Sequence, residues 1–295
     1  MLISICREPC TVAQNGFEGV LFHPDTPGRR QTALIVVGGS EGGMRTSLST
    51  AGIFASLGIP SLAVAYFGTK QTPRHLVRIP VETVLNATAF LRTQGYIKTG
   101  IYGISKGAEF ALLSASLIPD ISFVMAVSPS CCVFEGIVKP GYSGTSSWTW
   151  HGNELPYVSF NNCNVNFFRS LVKNHEIGFR SEYEQVLTAE KNETNTIKVE
   201  NIRGPVLLLA AEHDAQWPSA EMAQAVSQRL REKKFPYSFE LHTYYPAGHI
   251  LCPVRSAGTK ALLRLLYRVE RTFPRECSRA REEALAFSRS WMDRI

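Results

Sequence analysis

Short runs of consecutive apolar residues alternate along this chain with stretches in which apolar positions recur every three or four residues. ALIVV at 33–37 stops at glycines. Helical spacing follows over 47–57, carried by Leu48, Ile53, Phe54 and Leu57, and IPSLAVAY at 59–66 is a second apolar run. The rhythm continues with a helix around 80–94, a strand at 99–103, a helix at 106–117 and a strand at 121–128. It resumes with GPVLLLAAE at 204–212, a helix at 219–232, FPYSFELHTY at 235–244 and a closing helix at 256–273. Continuous apolar runs of this length are strands buried on both faces. Their alternation with amphipathic helices predicts an α/β fold, a mostly parallel central sheet with helices on both faces. Residues 3–6 and 17–23, within the N-terminal stretch 1–30, are expected to add antiparallel edge strands. One domain over 1–295 accommodates all of this.

The stretch 130–200 breaks the rhythm. It carries Trp148, Trp150, Tyr157, Phe160, Phe167 and Phe168 among many Asn and Gly residues. About 70 residues without a βα unit are too many for a plain connection, so this insert is expected to be a helical layer or a cap over a site. Its aromatic residues Trp148, Trp150, Tyr157, Phe167 and Phe168 suit the wall of an apolar pocket as well as they suit ordinary core.

Composition narrows the classes without choosing one. At 44% hydrophobic and 19% charged the chain is ordinary globular material, and no apolar run is long enough to span a membrane. The opening MLISICREPC is apolar for too short a distance to read as a signal peptide. Seven scattered cysteines with no C-x-x-C suit a reducing cytoplasm; Cys131 and Cys132 are adjacent and not expected to bridge easily. The net charge of +6 comes from dispersed basic residues. The C-terminal set, Arg264, Arg268, Arg271, Arg275, Arg279 and Arg281, is interleaved with Glu270, Glu276, Glu282 and Glu283 and reads as a solvated helix face. There is no one-signed cluster with aromatics for nucleic acid, no metal-ligand spacing, and no phosphate-binding glycine motif, so neither metal nor cofactor is expected.

The chemistry lies in a repeated motif. G-x-S-x-G occurs as GGSEG at 38–42 and as GISKG at 103–107. In a chain of this length it is expected by chance on the order of 0.1 times. Both copies follow a strand, and their order separates them. In α/β-hydrolases the glycine-rich loop after the first central strand donates a backbone N–H to the oxyanion hole, and the nucleophile comes two strands later. That order assigns Ser105 as nucleophile and the 38–43 loop, through Ser40 or Glu41, together with the N–H of Lys106, to the oxyanion. A serine needs a base, and a histidine held by a carboxylate supplies it, in the chain order Ser, acid, His. His249, in YYPAGHIL just past the last strand, has the expected place. Asp214 stands past the end of PVLLLAA; Glu212 is the alternative acid, with His213 a neighbour.

GISKGAEFALLSAS, GPVLLLAAEHDAQWPSAEMAQAVSQRL and YYPAGHILCP together resemble the C-terminal catalytic domain of acyl-CoA thioesterases, which is shared with bile acid-CoA:amino acid N-acyltransferases. The resemblance runs from about residue 30 to the C-terminus. It includes Lys106 and Glu109 after the serine, Trp217 after the acid and Pro253 after the histidine. The family's nucleophile, acid and base fall on Ser105, Asp214 and His249, and Trp217 joins the candidate substrate-binding residues. The resemblance implies a serine hydrolase that cleaves acyl thioesters, such as acyl-CoA, through an acyl-serine intermediate. It also implies a small-molecule thioester or ester partner and a role in fatty acid metabolism. Conjugating members of the family carry cysteine at the nucleophile, whereas the thioesterases carry serine, as here. A dienelactone-hydrolase-like carboxylesterase without CoA preference, and a catalytically silent hydrolase fold used for binding, are the alternatives.

Overall fold

The structure is a computed structural model, and it describes residues 5–24, 31–138, 141–160 and 176–295. The chain opens with β1 (Ile5–Cys10), a one-turn helix α1 (Val12–Asn15) and β2 (Glu18–Pro24). Next come β3 (Thr32–Val37), α2 (Arg45–Ser56), β4 (Ser61–Ala65), the two-residue β5 (Ile79–Pro80) and α3 (Glu82–Thr93). They are followed by β6 (Lys98–Ile104), α4 (Lys106–Leu117) and β7 (Ile121–Val127). After the insert, β12 (Val206–Ala211), α6 (Ser219–Glu232), β13 (Phe239–Tyr244), α7 (Ala257–Leu266), α8 (Arg268–Thr272) and α9 (Pro274–Met292) complete the core.

Among the described residues, eight strands form one sheet in the order β1-β2-β4-β3-β6-β7-β12-β13. β2 pairs antiparallel with both β1 and β4, and the pairings from β4 through β13 are all parallel. This is the α/β-hydrolase fold expected from the alternating pattern. The apolar runs are continuous because side chains alternate into two cores. Ile35, Val37, Ile101, Val124 and Leu208 face one layer, packed with Ala108 and Ala111 of α4. Leu34, Val36, Tyr102, Met125 and Leu209 face the other, with Phe54 of α2 and Trp291 of α9.

Three expectations need correction. The insert is not a helical layer over its described residues. β8 (Glu135–Val138) and β9 (Gly141–Ser146) pair antiparallel, and β10 (Trp148–Trp150) joins β11 (Asn153–Glu154) and β5 in a small second sheet. α5 (Arg180–Glu190) is the insert's described helix. Strands of two to six residues are too short to show a period, and their sheet is made with a dipeptide about 70 residues earlier, which no local pattern reveals. The closing helix is interrupted. Tyr267 is extended, at φ −125° and ψ 129°, and separates α7 from α8. The C-terminal charged run is not wholly solvated either: Arg281 and Glu270 are buried and paired with each other. Phe167 and Phe168 lie outside the described residues.

Among the described residues no helix is long and apolar enough to cross a membrane. α9 closes the second core through Trp291, which is fully buried against the Phe123 ring, 6.0 Å between centroids. Trp291→Ala is therefore expected to lower unfolding free energy by about 3–5 kcal/mol in denaturant titration. A loss below about 1 kcal/mol would mean that α9 merely lies on the surface.

Candidate active site

Ser105 stands between the last residue of β6 and the first of α4, with φ 57° and ψ −123°. A non-glycine residue held at positive φ costs about 1–3 kcal/mol and persists only where the surroundings impose it. The surroundings here are backbone. A Cβ on Gly103 would collide with the carbonyl of Gly107, and a Cβ on Gly107 would collide with the carbonyl of Gly38. The motif's glycines are thus required by close approach of β6, α4 and the loop after β3. The Ser105 N–H donates to Val127 O at 2.9 Å, anchoring the turn to β7. The N-terminal end of α4 points at the serine and favours negative charge there.

The loop after β3 meets the same turn. A Cβ on Gly39 would lie 3.3 Å from Ser105 Cβ, so glycine is what lets this loop reach the serine. The Tyr66 hydroxyl, buried just beyond β4, hydrogen-bonds the carbonyls of Gly38 (2.8 Å) and Gly39 (3.0 Å). In a trans peptide C=O and N–H point oppositely, so drawing the Gly39 carbonyl toward Tyr66 turns the Ser40 N–H away from it. Glu41 folds back, its Oε1 accepting the Gly39 N–H at 3.2 Å. The motif reading did not include Tyr66; a lone tyrosine after a strand carries no motif signal.

The candidate acid and base follow strands further across the sheet, beyond β7. Asp214 follows β12 and His249 follows β13, and His249 Nδ1 lies 2.8 Å from Asp214 Oδ2. Both side chains are buried, Asp214 at 1% and His249 at 6% exposure, which keeps this hydrogen bond out of competition with water. A carboxylate acceptor makes Nδ1 the protonated nitrogen and leaves Nε2 free to take a proton. Asp214 Oδ1 also accepts the backbone N–H groups of Gln216 (2.9 Å) and Trp217 (3.3 Å). Glu212 and His213 are exposed, so of the two candidate acids only Asp214 meets the histidine.

Residues 127 and 128 tie the two halves together. Val127 accepts from Ser105, and the Ser128 hydroxyl donates to His249 O at 2.7 Å. Arg281, held by Glu270, donates to Ile250 O at 3.4 Å from the other side of the histidine loop. Ser105, Asp214 and His249 each stand just past the carboxyl end of a parallel strand, the end at which open α/β sheets place their sites. No group of three or more His, Cys, Asp or Glu among the described residues is placed to hold a metal ion.

The aromatic residues of the insert divide. Trp148 is fully buried and stacked on Phe110, 4.4 Å between centroids at 8°, so it belongs to the core. Trp150 is half-buried beside His151, and Tyr157 donates its hydroxyl to Gly144 O at 2.8 Å. Trp217 is buried next to Asp214 and His249: its ring meets His249 edge-on at 5.8 Å, and its Nε1 donates to Ser128 O at 3.2 Å.

Known proteins carry the same arrangement of chain. An acyl-coenzyme A thioesterase 1 from Mus musculus is 25% identical over 261 residues, covering 85% of this chain and 57% of that protein. The bile acid-CoA:amino acid N-acyltransferase of Mus musculus is 25% identical over 247 residues, covering 82% and 54%. The chain therefore spans little more than half the length of these curated relatives. Among solved structures, a putative dienelactone hydrolase from Klebsiella pneumoniae superposes with TM-score 0.60 at 14% identity over 99% of this chain and 100% of its own. A Pyrococcus furiosus esterase gives 0.53 at 14%, over 96% and 92%. At these identities the likeness is one of fold. The profile of the family described as BAAT / acyl-CoA thioester hydrolase C terminal matches residues 79–267, well over half of the sequence, and the chain belongs to that family of α/β-hydrolases.

Proposed function

We propose that this chain is a serine hydrolase that cleaves acyl thioesters, acyl-CoA foremost, to free acid and thiol, acting as a single α/β-hydrolase domain. The observation that carries the reading is the buried 2.8 Å bond between His249 and Asp214, which follow β13 and β12 of the same parallel sheet whose β6 leads into the strained turn at Ser105. In this reading Ser105 Oγ attacks the acyl carbonyl and His249 Nε2 takes its proton. The oxyanion is held by the N–H of Lys106 and that of Ser40 or Glu41. His249 then protonates the departing thiolate, leaving acyl-Ser105. Water, deprotonated by the same nitrogen, attacks the ester and releases the acid. Asp214 holds the ring and stabilises the imidazolium. The site needs no metal or cofactor for these steps.

The sequence relatives named as acyl-CoA thioesterases favour thioesters over the carboxylesterase alternative, to which only the fold likeness points. Cys10, Cys131, Cys132, Cys252 and Cys277 are free thiols, which fits a reducing compartment such as the cytoplasm.

A fluorophosphonate probe is expected to label the wild-type protein. Ser105→Ala should abolish the label and Ser40→Ala should retain it. Labelling that survives Ser105→Ala would refute the assignment, and an unlabelled wild type would favour the silent-fold alternative. Asp214→Asn should leave KM for a hydrolysed acyl-CoA within about twofold and lower kcat by roughly two to four orders of magnitude, through the wrong imidazole tautomer. Glu212→Gln should leave kcat near wild type; if it mimics Asp214→Asn, the acid is misassigned.

Hydrolysis should prevail over transfer. An acyl-serine is an oxyester and reacts less readily with amines than the thioester an acyl-cysteine would form. With acyl-CoA and excess glycine or taurine, mass spectrometry should find free acid almost exclusively, and Ser105→Cys should raise the amide fraction while slowing hydrolysis. Substantial amide from the wild type would contradict the hydrolase reading.

A further inference from the structure

Lys106, the residue after the proposed nucleophile, sends its side chain inward. It is 2% exposed, and its ammonium lies 2.7 Å from Glu109 Oε1, above the rings of Trp148 and Phe134. Glu109 is fully buried. Its Oε1 accepts three donors: Lys106 Nζ at 2.7 Å, Trp148 Nε1 at 2.7 Å and Phe134 N at 3.0 Å. Its Oε2, equally buried, accepts none.

This is a poor arrangement for stability. Burial pushes the Lys106 ammonium down and the Glu109 carboxyl up from their usual ranges, so each group resists the charge its partner needs. Buried ion pairs can often be replaced by apolar side chains of similar volume at no cost in stability. A site selected for stability would also not crowd three donors on one oxygen and leave the other empty.

What the pair does is join three segments. Lys106 and Glu109, at i and i+3, clamp the first turn of α4, whose leading N–H is the proposed oxyanion donor. Trp148 brings in β10, and Phe134 brings in the chain leaving β7. From there the packing runs on to the base. The Phe134 ring meets Trp217 at 6.1 Å, and Trp217 meets His249 at 5.8 Å.

We propose that Glu109, with Lys106, is a positioning group: it holds the turn after Ser105 and the insert in one register, so that the oxyanion donor and the base face the same acyl carbon. Neither side chain touches substrate; both act through backbone and ring placement. The proposal rests on the assignment of Ser105 as nucleophile.

The test is the double variant Lys106→Met/Glu109→Leu, which removes the charges and keeps the volume. Its thermal midpoint should equal or exceed that of wild type. Its kcat for acyl-CoA hydrolysis and its rate of fluorophosphonate labelling should each fall roughly ten- to a hundredfold, with KM within about twofold, as a slightly misplaced donor demands. Trp148→Phe keeps a ring on Phe110 and removes one donor to Glu109. It should lower kcat at least about threefold while remaining folded, and it decides the matter if the double variant does not fold. A folded double variant with wild-type kcat, or a wild-type kcat in Trp148→Phe, overturns the proposal. Failure of the wild-type protein to label at Ser105 overturns the reading beneath it instead.

Discussion

At Gly103, Gly107 and Gly38 three pieces of main chain pass so closely that no side chain fits between them. The rest of the site depends on this crossing. It forces the chain to turn at Ser105 with positive φ, puts the serine at the start of a helix, and brings the loop after β3 within contact of its Cβ. Strain of this kind would relax if the flanking elements were loose. They are not: β3, β6 and β7 are fully buried over most of their length, and Ser105 N is bonded to β7. Two apolar layers, one on each side of the sheet, thus hold Ser105 in its strained turn.

The histidine is held by main-chain contacts as well. His249 O and Ile250 O are each gripped by a buried side chain, Ser128 and Arg281, while Asp214 holds the ring. Arg281 belongs to α9 and is neutralised by Glu270 of α8. The C-terminal helices therefore do more than close the second core; they fix one side of the loop that carries His249. Tyr267, extended between α7 and α8, lies near Asp214, and burial pushes its hydroxyl up to about 12.

The sequence made the frame legible. Apolar runs at 33–37, 99–103, 121–128 and 204–212 mark strands whose observed ends lie within about two residues, because both faces of a parallel sheet are apolar and the run ends where burial ends. Ser105, Asp214 and His249 could be singled out for a related reason: each stands just past a strand end, where few polar residues stand, and the structure joins the last two by a hydrogen bond. The insert was not legible, since β10 and β11 are too short to show a period and are completed by β5, far away in sequence. Trp148 reads equally as pocket wall or core, and only its stacking on Phe110 and its bond to Glu109 place it inside. Arg281 sits among alternating charges like its solvated neighbours; its burial depends on a partner eleven residues away. The Tyr66 hydroxyl works on backbone carbonyls, and a side chain with that task leaves no motif.

The central claim is that an acyl group passes through Ser105. Mixing the protein with a substoichiometric acyl-CoA, quenching in acid on the millisecond scale and weighing the intact chain tests it directly. The account predicts a transient mass increase of one acyl group, located on the peptide that contains Ser105 and gone once free acid has formed. Acid accumulating with no adduct at any time, or an adduct confined to another residue, would contradict it.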